Sequence, residues 1–253
     1  MQKIIAVVSG KGGVGKTFIS INLAIAMHQF GEKVTVVDAD VSASNMGLHL
    51  GYYTFPVKLQ DVIEGNIGIK KAIYVHPSGL NLIPSAIDLN NCQCSLSKLR
   101  DVLGPLEDTV IIDAPPGLSN DTLDVIAASD YIIAITNPEL PSITNVLKVI
   151  KTAQDMKKTT LGVVVNRMSY DNYEIKQSEI EIMTETHILT TIPESKAVKK
   201  SIFLKNPVII MDPLHPSSLA FKHLAARLMG KKYIPPKYVA LRRFLRNNGI
   251  NIM

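Results

Sequence analysis

The sequence predicts one doubly wound α/β domain, a mostly parallel sheet with helices on both faces, followed by a C-terminal amphipathic helix. Three observations carry this reading. Short β-branched runs, most of them apolar throughout, alternate with helical stretches along the chain, as strands do when helices cover both sides of a sheet. The first run leads straight into a glycine-rich loop, which in turn opens a helix. At 253 residues, 46% hydrophobic and 19% charged, the chain can bury one sizeable core.

Taken in order, strands are predicted at 3–8, 33–37, 80–83, 109–112, 131–136, 161–165 and 188–192. Helices are predicted near 16–30, 96–106, 120–129, 142–157, 173–186, 194–204 and 216–230. The first helix stops at Gly31, a residue that takes the left-handed C′ conformation without steric penalty. Ser119 stands before "NDTLDVIAAS" as an N-cap. After the helix ending near Gly230, Pro235-Pro236 breaks the chain. This separates a domain of residues 1–234 from an appendage of residues 235–253. There is no internal repeat. No apolar run approaches the ~18 residues of a membrane span, and the apolar start is shorter than the core of a signal peptide. Cys92 and Cys94 are the only cysteines, so no disulfide framework is expected and a cytoplasmic location is.

The loop Gly10-Lys-Gly-Gly-Val-Gly-Lys-Thr17 matches G-x-x-x-x-G-K-[ST] between a strand and a helix. Glycines let successive backbone N–H groups turn around phosphate oxygens, and the helix N-terminus adds positive potential. Gly10, Lys11, Gly12, Gly13, Val14, Gly15, Lys16, Thr17 and Phe18 are therefore candidate nucleotide contacts. Lys16 reaches the β- and γ-phosphates in this arrangement, and the Thr17 hydroxyl takes a Mg²⁺ position. Asp113 ends the apolar run "TVII" before a Pro-Pro-Gly turn. An acid at such a strand end, beside a phosphate loop, holds Mg²⁺ through water. Lys11 is different. At the second position of the loop it cannot easily curl back onto phosphates that its own backbone wraps.

The form G-K-G-G-x-G-K-T resembles the deviant Walker A motif of the MinD/ParA family of ATPases, and the resemblance runs from residue 1 to about 230. It implies the P-loop NTPase fold, with ATP and Mg²⁺ as cofactors and slow hydrolysis that depends on dimerisation. In that family the extra lysine crosses a nucleotide-sandwich dimer, so Lys11 is expected to act on a partner subunit's ATP. A cation supplied in this way is worth several powers of ten in rate. "VVDADVSASN" is similar to the family's switch I. Asp38 and Asp40, two residues apart, face one side of an extended chain. The resemblance places Asp38 near Lys16 and the metal shell, gives Asp40 the attacking water, and lets Asn45 assist. Asp113 takes the Walker B role, and Gly117 frees switch II to respond to the γ-phosphate. "GVVVNR" and "TIPES" resemble adenine-binding segments: Asn166 at the purine edge, Arg167 packed nearby, and backbone at Pro193 and Glu194. One departure is Phe18, where the family has a second threonine on the α-phosphate. Loss of that hydrogen bond implies binding weaker by ~1 kcal/mol.

Charge is unevenly spread. From Lys196 onward there are twelve Lys and Arg against Asp212 alone, a net of +11, while the remainder carries 15 basic and 21 acidic residues, a net of −6, giving +5 in all. A basic end on an acidic body points to a polyanionic surface. In "KYVALRRFLRNNG", Tyr238, Leu241, Phe244 and Leu245 recur at helical spacing, with Lys237, Arg242, Arg243 and Arg246 on other faces. That is an interfacial amphipathic helix, similar to the membrane-targeting helix of the MinD branch; packing on its own domain is the competing arrangement. Each basic residue near an anionic leaflet contributes ~1 kcal/mol. One such helix binds marginally, and two on a dimer gain by effective concentration. The expected partners are a second copy in the ATP state, an anionic membrane surface on the inner face of the cell membrane, and an unidentified activator or positioned protein, for division or motility. Rival readings are a ParA-like DNA-segregating ATPase, an Mrp-like iron–sulfur carrier, and a regulator that hydrolyses very slowly. Phe244 in the apolar stripe suits a bilayer better than a duplex. Cys92-Gln93-Cys94 is a poor substitute for a C-x-x-C cluster pair.

Overall fold

The computed structural model describes residues 2–41, 44–86 and 95–247; Cys92 and Cys94 and the last six residues of the appendage lie outside them. The chain alternates strands and helices from its start: β1 (Ile4–Val8), α1 (Lys16–Gln29), β2 (Val34–Asp38), α2 (Met46–Leu50), α3 (Leu59–Ile63), β3 (Tyr74–Val75) and β4 (Asn81–Ile83). There follow α4 (Leu99–Leu103), β5 (Thr109–Asp113), α5 (Asn120–Ala128), β6 (Tyr131–Thr136), α6 (Leu140–Asp155), β7 (Thr159–Met168) and α7 (Gln177–Thr184). β8 (Ile188–Pro193), α8 (Lys196–Phe203), α9 (Val208–Met211), α10 (Pro216–Leu228) and α11 (Val239–Asn247) complete it. The sheet order is β3-β4-β2-β5-β1-β6-β7-β8. Every pairing is parallel except the edge pair β3–β4.

Two cores follow from the two-residue side-chain period of a strand. Along β1, Ile4, Ala6 and Val8 enter the core on one face, while Ile5 and Val7 enter the other. β5 divides in the same way, Val110 and Ile112 against Ile111. A strand buried on both faces reads as an unbroken apolar run, which is why these strands are legible in the sequence. α1 is buried from Phe18 through Met27, as expected for a helix apolar on nearly all sides. α10 packs against it, with the Phe18 and Phe221 rings edge to face at 5.5 Å.

Several element bounds differ from the sequence-based expectation. The predicted helix at 96–106 is a short turn of 3₁₀-helix followed by α4, which ends at Leu103 before Gly104. The predicted helix at 173–186 starts only at Gln177, because the Glu174 carboxylate accepts from the Ser169 and Tyr170 N–H groups and folds that stretch into a loop. α6 opens two residues earlier than predicted, with a proline in its first turn. β7 runs three residues further, through Arg167 at φ 58°. α2, α3, β3 and α9 were not anticipated; each has five residues or fewer, too few to show a period. Gly31, at φ 85°, follows α1 as expected, and Ser119 Oγ accepts from Thr122 N to cap α5.

Beyond α10 the chain turns back over the domain. Lys231 Nζ donates to Phe30 O, and the Tyr233 ring meets Phe30 edge to face. After the two prolines, α11 returns to the body through Arg243, whose Nε donates to Asp212 Oδ2 at 2.8 Å. Tyr238 and Leu241 stay exposed. Among the described residues no helix is long and apolar enough to cross a membrane.

Candidate nucleotide site

The site lies where β1, β2 and β5 end side by side. Central β1 delivers the phosphate loop, and α1 starts directly after it. Gly15, at φ 97°, is the residue before that helix. A side chain at Gly10 would place Cβ 2.2 Å from the Asn145 carbonyl carbon, so α6 presses against the loop. At Gly15 a Cβ would fall 2.4 Å from Asn166 Nδ2. That same amide nitrogen donates to Val14 O at 2.7 Å and braces the loop from β7. Gly117, at φ 79°, donates its N–H to Ser9 O, which ties the turn after Asp113 to the start of the loop.

Lys16 and Lys11 occupy opposite environments. Lys16 is buried at the start of α1. Burial lowers its pKa, opposed by the nearby Asp113 and Asp40 carboxylates. Lys11 is exposed. Among the described residues no hydrogen bond or ion pair holds its side chain; only its backbone carbonyl is used, accepting from Ser9 Oγ.

The two carboxylates expected on the metal side are brought together by strand pairing. Asp38 of β2 and Asp113 of β5 are register partners, and both are buried. Thr17 Oγ1 donates to Asp113 Oδ2 at 2.6 Å, and Ser20 Oγ donates to Asp113 Oδ1 at 3.2 Å. Asp38 accepts from Ser44 Oγ at 2.7 Å, from Asp40 N at 3.1 Å and from Met46 N at 3.3 Å. Burial, and then the neighbouring Asp113, push Asp38 up to about 7. Burial pushes Asp113 up to about 6, against the hydrogen bond from Thr17, the charge of Lys16 and the hydrogen bond from Ser20. Two carboxyl groups held out of water with one buried cation form a site that favours an added divalent ion. Asp40, half-buried, lies near enough to act electrostatically on Lys16, Asp113 and Asp121. Asn45 is exposed at the residue before α2.

The expected base-binding residues divide. Arg167 and Glu194, with Asn137, Pro138 and Tyr173, line an open cavity of about 600 Å³ at the ends of β6, β7 and β8. Pro193 ends β8, and Glu194 N donates to Met168 O next door. Asn166 is not in that lining; its amide faces the loop. The Phe18 ring is buried against Phe221, so what it can offer a nucleotide is its backbone N–H at the helix start. Such N–H groups have no intrahelical partner and suit a phosphate.

Sequence reasoning missed Ser20, Ser44 and Ser85. Ser20 lies one helical turn after Thr17, which a helical-face argument could have found. Ser85 Oγ donates to the Asp38 carbonyl, a contact that only the β2–β4 pairing creates.

Fold and site together define a P-loop nucleotide-binding protein. A family model described as an AAA domain matches residues 2–166. An uncharacterized ATP-binding protein of Methanocaldococcus jannaschii is 40% identical over 237 residues, covering 92% of this chain and 90% of that protein. The crystal structure of the cell division ATPase MinD of Pyrococcus furiosus superposes with a TM-score of 0.86 at 31% identity, covering 91% of this chain and 99% of that one. The septum site-determining protein MinD of Pyrococcus horikoshii, complexed with Mg-ADP, does so with a TM-score of 0.85 at 29% identity, over 90% and 96% of the two chains. The chain belongs to the MinD/ParA family of P-loop ATPases.

Proposed function

We propose that this protein is a MinD-like ATPase that binds ATP with Mg²⁺, pairs with a second copy in the ATP state, attaches reversibly to an anionic membrane surface, and positions a partner protein there. The residues present fit a magnesium nucleotide: a loop closed to side chains at Gly10 and Gly15, a buried lysine, and a threonine hydroxyl bonded to Asp113, whose strand partner Asp38 brings a second buried carboxyl. When bound, Mg²⁺ supplies positive charge at the phosphates. Thr17 would ligate it directly, and Asp113 and Asp38 would hold its water shell. Lys16 neutralises phosphate charge from within the subunit. Asp40 orients the attacking water with help from Asn45, and Arg167, Pro193 and Glu194 border the adenine. Residues 1–234 form the ATPase domain in this reading, and residues 235–253 are the membrane-seeking appendage.

The observation that carries the proposal is the contrast between the two loop lysines. Lys16 is buried beside Asp113 and Asp40, whereas Lys11 is exposed and its side chain is held by no hydrogen bond or ion pair among the described residues. A cation kept outside its own site is available to a facing subunit, where it stabilises transition-state charge only on dimerisation. The test is Lys11→Ala. Nucleotide affinity should stay within about threefold of the wild type, while ATP-dependent dimerisation and hydrolysis fall by at least a hundredfold. Unchanged turnover in that variant would refute the in-trans role.

A further inference from the structure

The surface carries a second apolar and basic feature besides α11. Ile202, Phe203 and Leu204, at the C-terminal end of α8, are consecutive and exposed to 39%, 82% and 50%. Exposure of three neighbouring large apolar side chains is uncommon on a free-standing surface and marks a contact site. The local geometry explains why they project. Ser201 is buried and its Oγ donates to Val198 O, fixing the inner side of the helix. Lys205 then takes a left-handed conformation at φ 54°, and Asn206 N returns to Ser201 O. The chain therefore turns sharply after the helix, leaving residues 202–204 exposed.

Four lysines flank the tip in sequence. Lys196, Lys199, Lys200 and Lys205 fall within residues 195–211, and that stretch contains no acidic residue. Lys199 pairs with Glu194. Lys205 lies 4.4 Å from the centre of the Tyr53 ring, and its ammonium bonds the Tyr53 hydroxyl. Tyr53 is itself 61% exposed, so the tip continues into the loop after α2. His49 of α2 meets Ser201 and Ile202 across a narrow crevice. α2 begins at Met46, whose N–H donates to Asp38. The tip is thus one short helix away from the nucleotide carboxylates.

We propose that the Ile202-Phe203-Leu204 tip and its flanking lysines are a second contact with an anionic lipid bilayer, made by the body of the protein and independent of α11. Apolar side chains at a projecting helix end, on a segment whose four lysines outnumber the one acid that pairs with them, Glu194, complement a headgroup layer that is negative outside and apolar beneath. The inference rests on the membrane reading above and adds a second attachment point to each subunit. Two points of contact fix the body's orientation on the surface, which one tethered helix cannot do.

The chain contains no tryptophan, so a single introduced indole reports on its own position. In the full-length protein with ATP and Mg²⁺, Phe203→Trp should give blue-shifted emission with phosphatidylglycerol-containing vesicles. Brominated lipid should quench it, and pure phosphatidylcholine vesicles should leave it unchanged. The double variant Phe203→Ser, Leu204→Ser should partition onto the anionic vesicles roughly tenfold less well, with nucleotide affinity unaltered. Leu241→Trp, in α11, serves as the parallel reporter. A shift at 241 without one at 203 overturns the tip proposal and leaves the α11 reading standing. Silence at both positions overturns both together.

Discussion

Asp38 and Asp113 illustrate how much chemistry depends on a single register. Each lies at the C-terminal end of its strand, and the β2–β5 pairing sets them opposite each other in the interior. Their motifs are readable because each is contiguous in sequence. Their mutual effect is not, since 75 residues of chain separate them and only pairing brings the carboxyls together. Ser85, 47 residues from Asp38, was hidden for the same reason, whereas Ser44 lies only six residues away within the same motif. The consequence is a pH dependence of known sign. Both folded pKa values are raised above the ordinary 3.8, so between pH 4 and 7 the folded state retains protons that the unfolded chain releases. The stability tied to this pair is fully present below about pH 4 and is lost as pH rises to about 7. With 1.36 kcal/mol for each pH unit of displacement, the loss is on the order of a few kcal/mol. Urea unfolding of the nucleotide-free protein at pH 5 and pH 8 should show this decline, and Asp38→Asn should flatten it. An equal decline in that variant would assign the dependence to other groups.

At the scale of elements, length decided what was legible. The five-residue strands β1, β2 and β5 are buried at every position and mostly apolar. α1 is long and apolar on nearly all sides, and α6 and α10 have enough turns to display a face. α2, α3 and α9 are single turns stabilised by what they pack against, so no periodicity could announce them. Phe18 belongs to a motif and to a core at once. Its place in the loop motif suggested a missing hydroxyl, while its place on α1 makes it a core residue joining α1 to α10 through Phe221. Phe18→Thr restores the family's hydroxyl at the cost of that packing. It should destabilise the protein by about 3 kcal/mol, read as a lower urea midpoint at unchanged slope. A loss under about 1 kcal/mol would mean that the α1–α10 contact closes over the gap. The gain in nucleotide affinity should be no more than about 1 kcal/mol, so stability is the larger effect.

For the whole molecule, the informative contact ties the C-terminal appendage to the body. From Lys196 onward Asp212 is the only acidic residue among twelve basic ones, and it is the residue that receives Arg243 of α11. Its Oδ1 is buried, with no hydrogen-bond partner among the described residues, so the carboxylate relies on this one pairing. His215 N donates to the Asp212 carbonyl, and the His215 ring meets Ser195 Oγ at 3.0 Å. Ser195 follows Glu194 at the rim of the cavity at the ends of β6, β7 and β8. A docked α11 keeps Arg243 on the body while Tyr238 and Leu241 face outward. In the membrane reading the body and the bilayer therefore compete for the same helix. Asp212→Asn keeps the shape and removes the charge that holds Arg243. Without lipid, amide exchange across residues 239–247 should quicken about tenfold, the worth of one hydrogen bond between charged groups. With anionic vesicles and no nucleotide, binding should rise, because α11 no longer has to leave a partner behind. Unaltered exchange would show that other contacts dock the helix, and faster exchange without stronger binding would separate the docking from any role at a membrane.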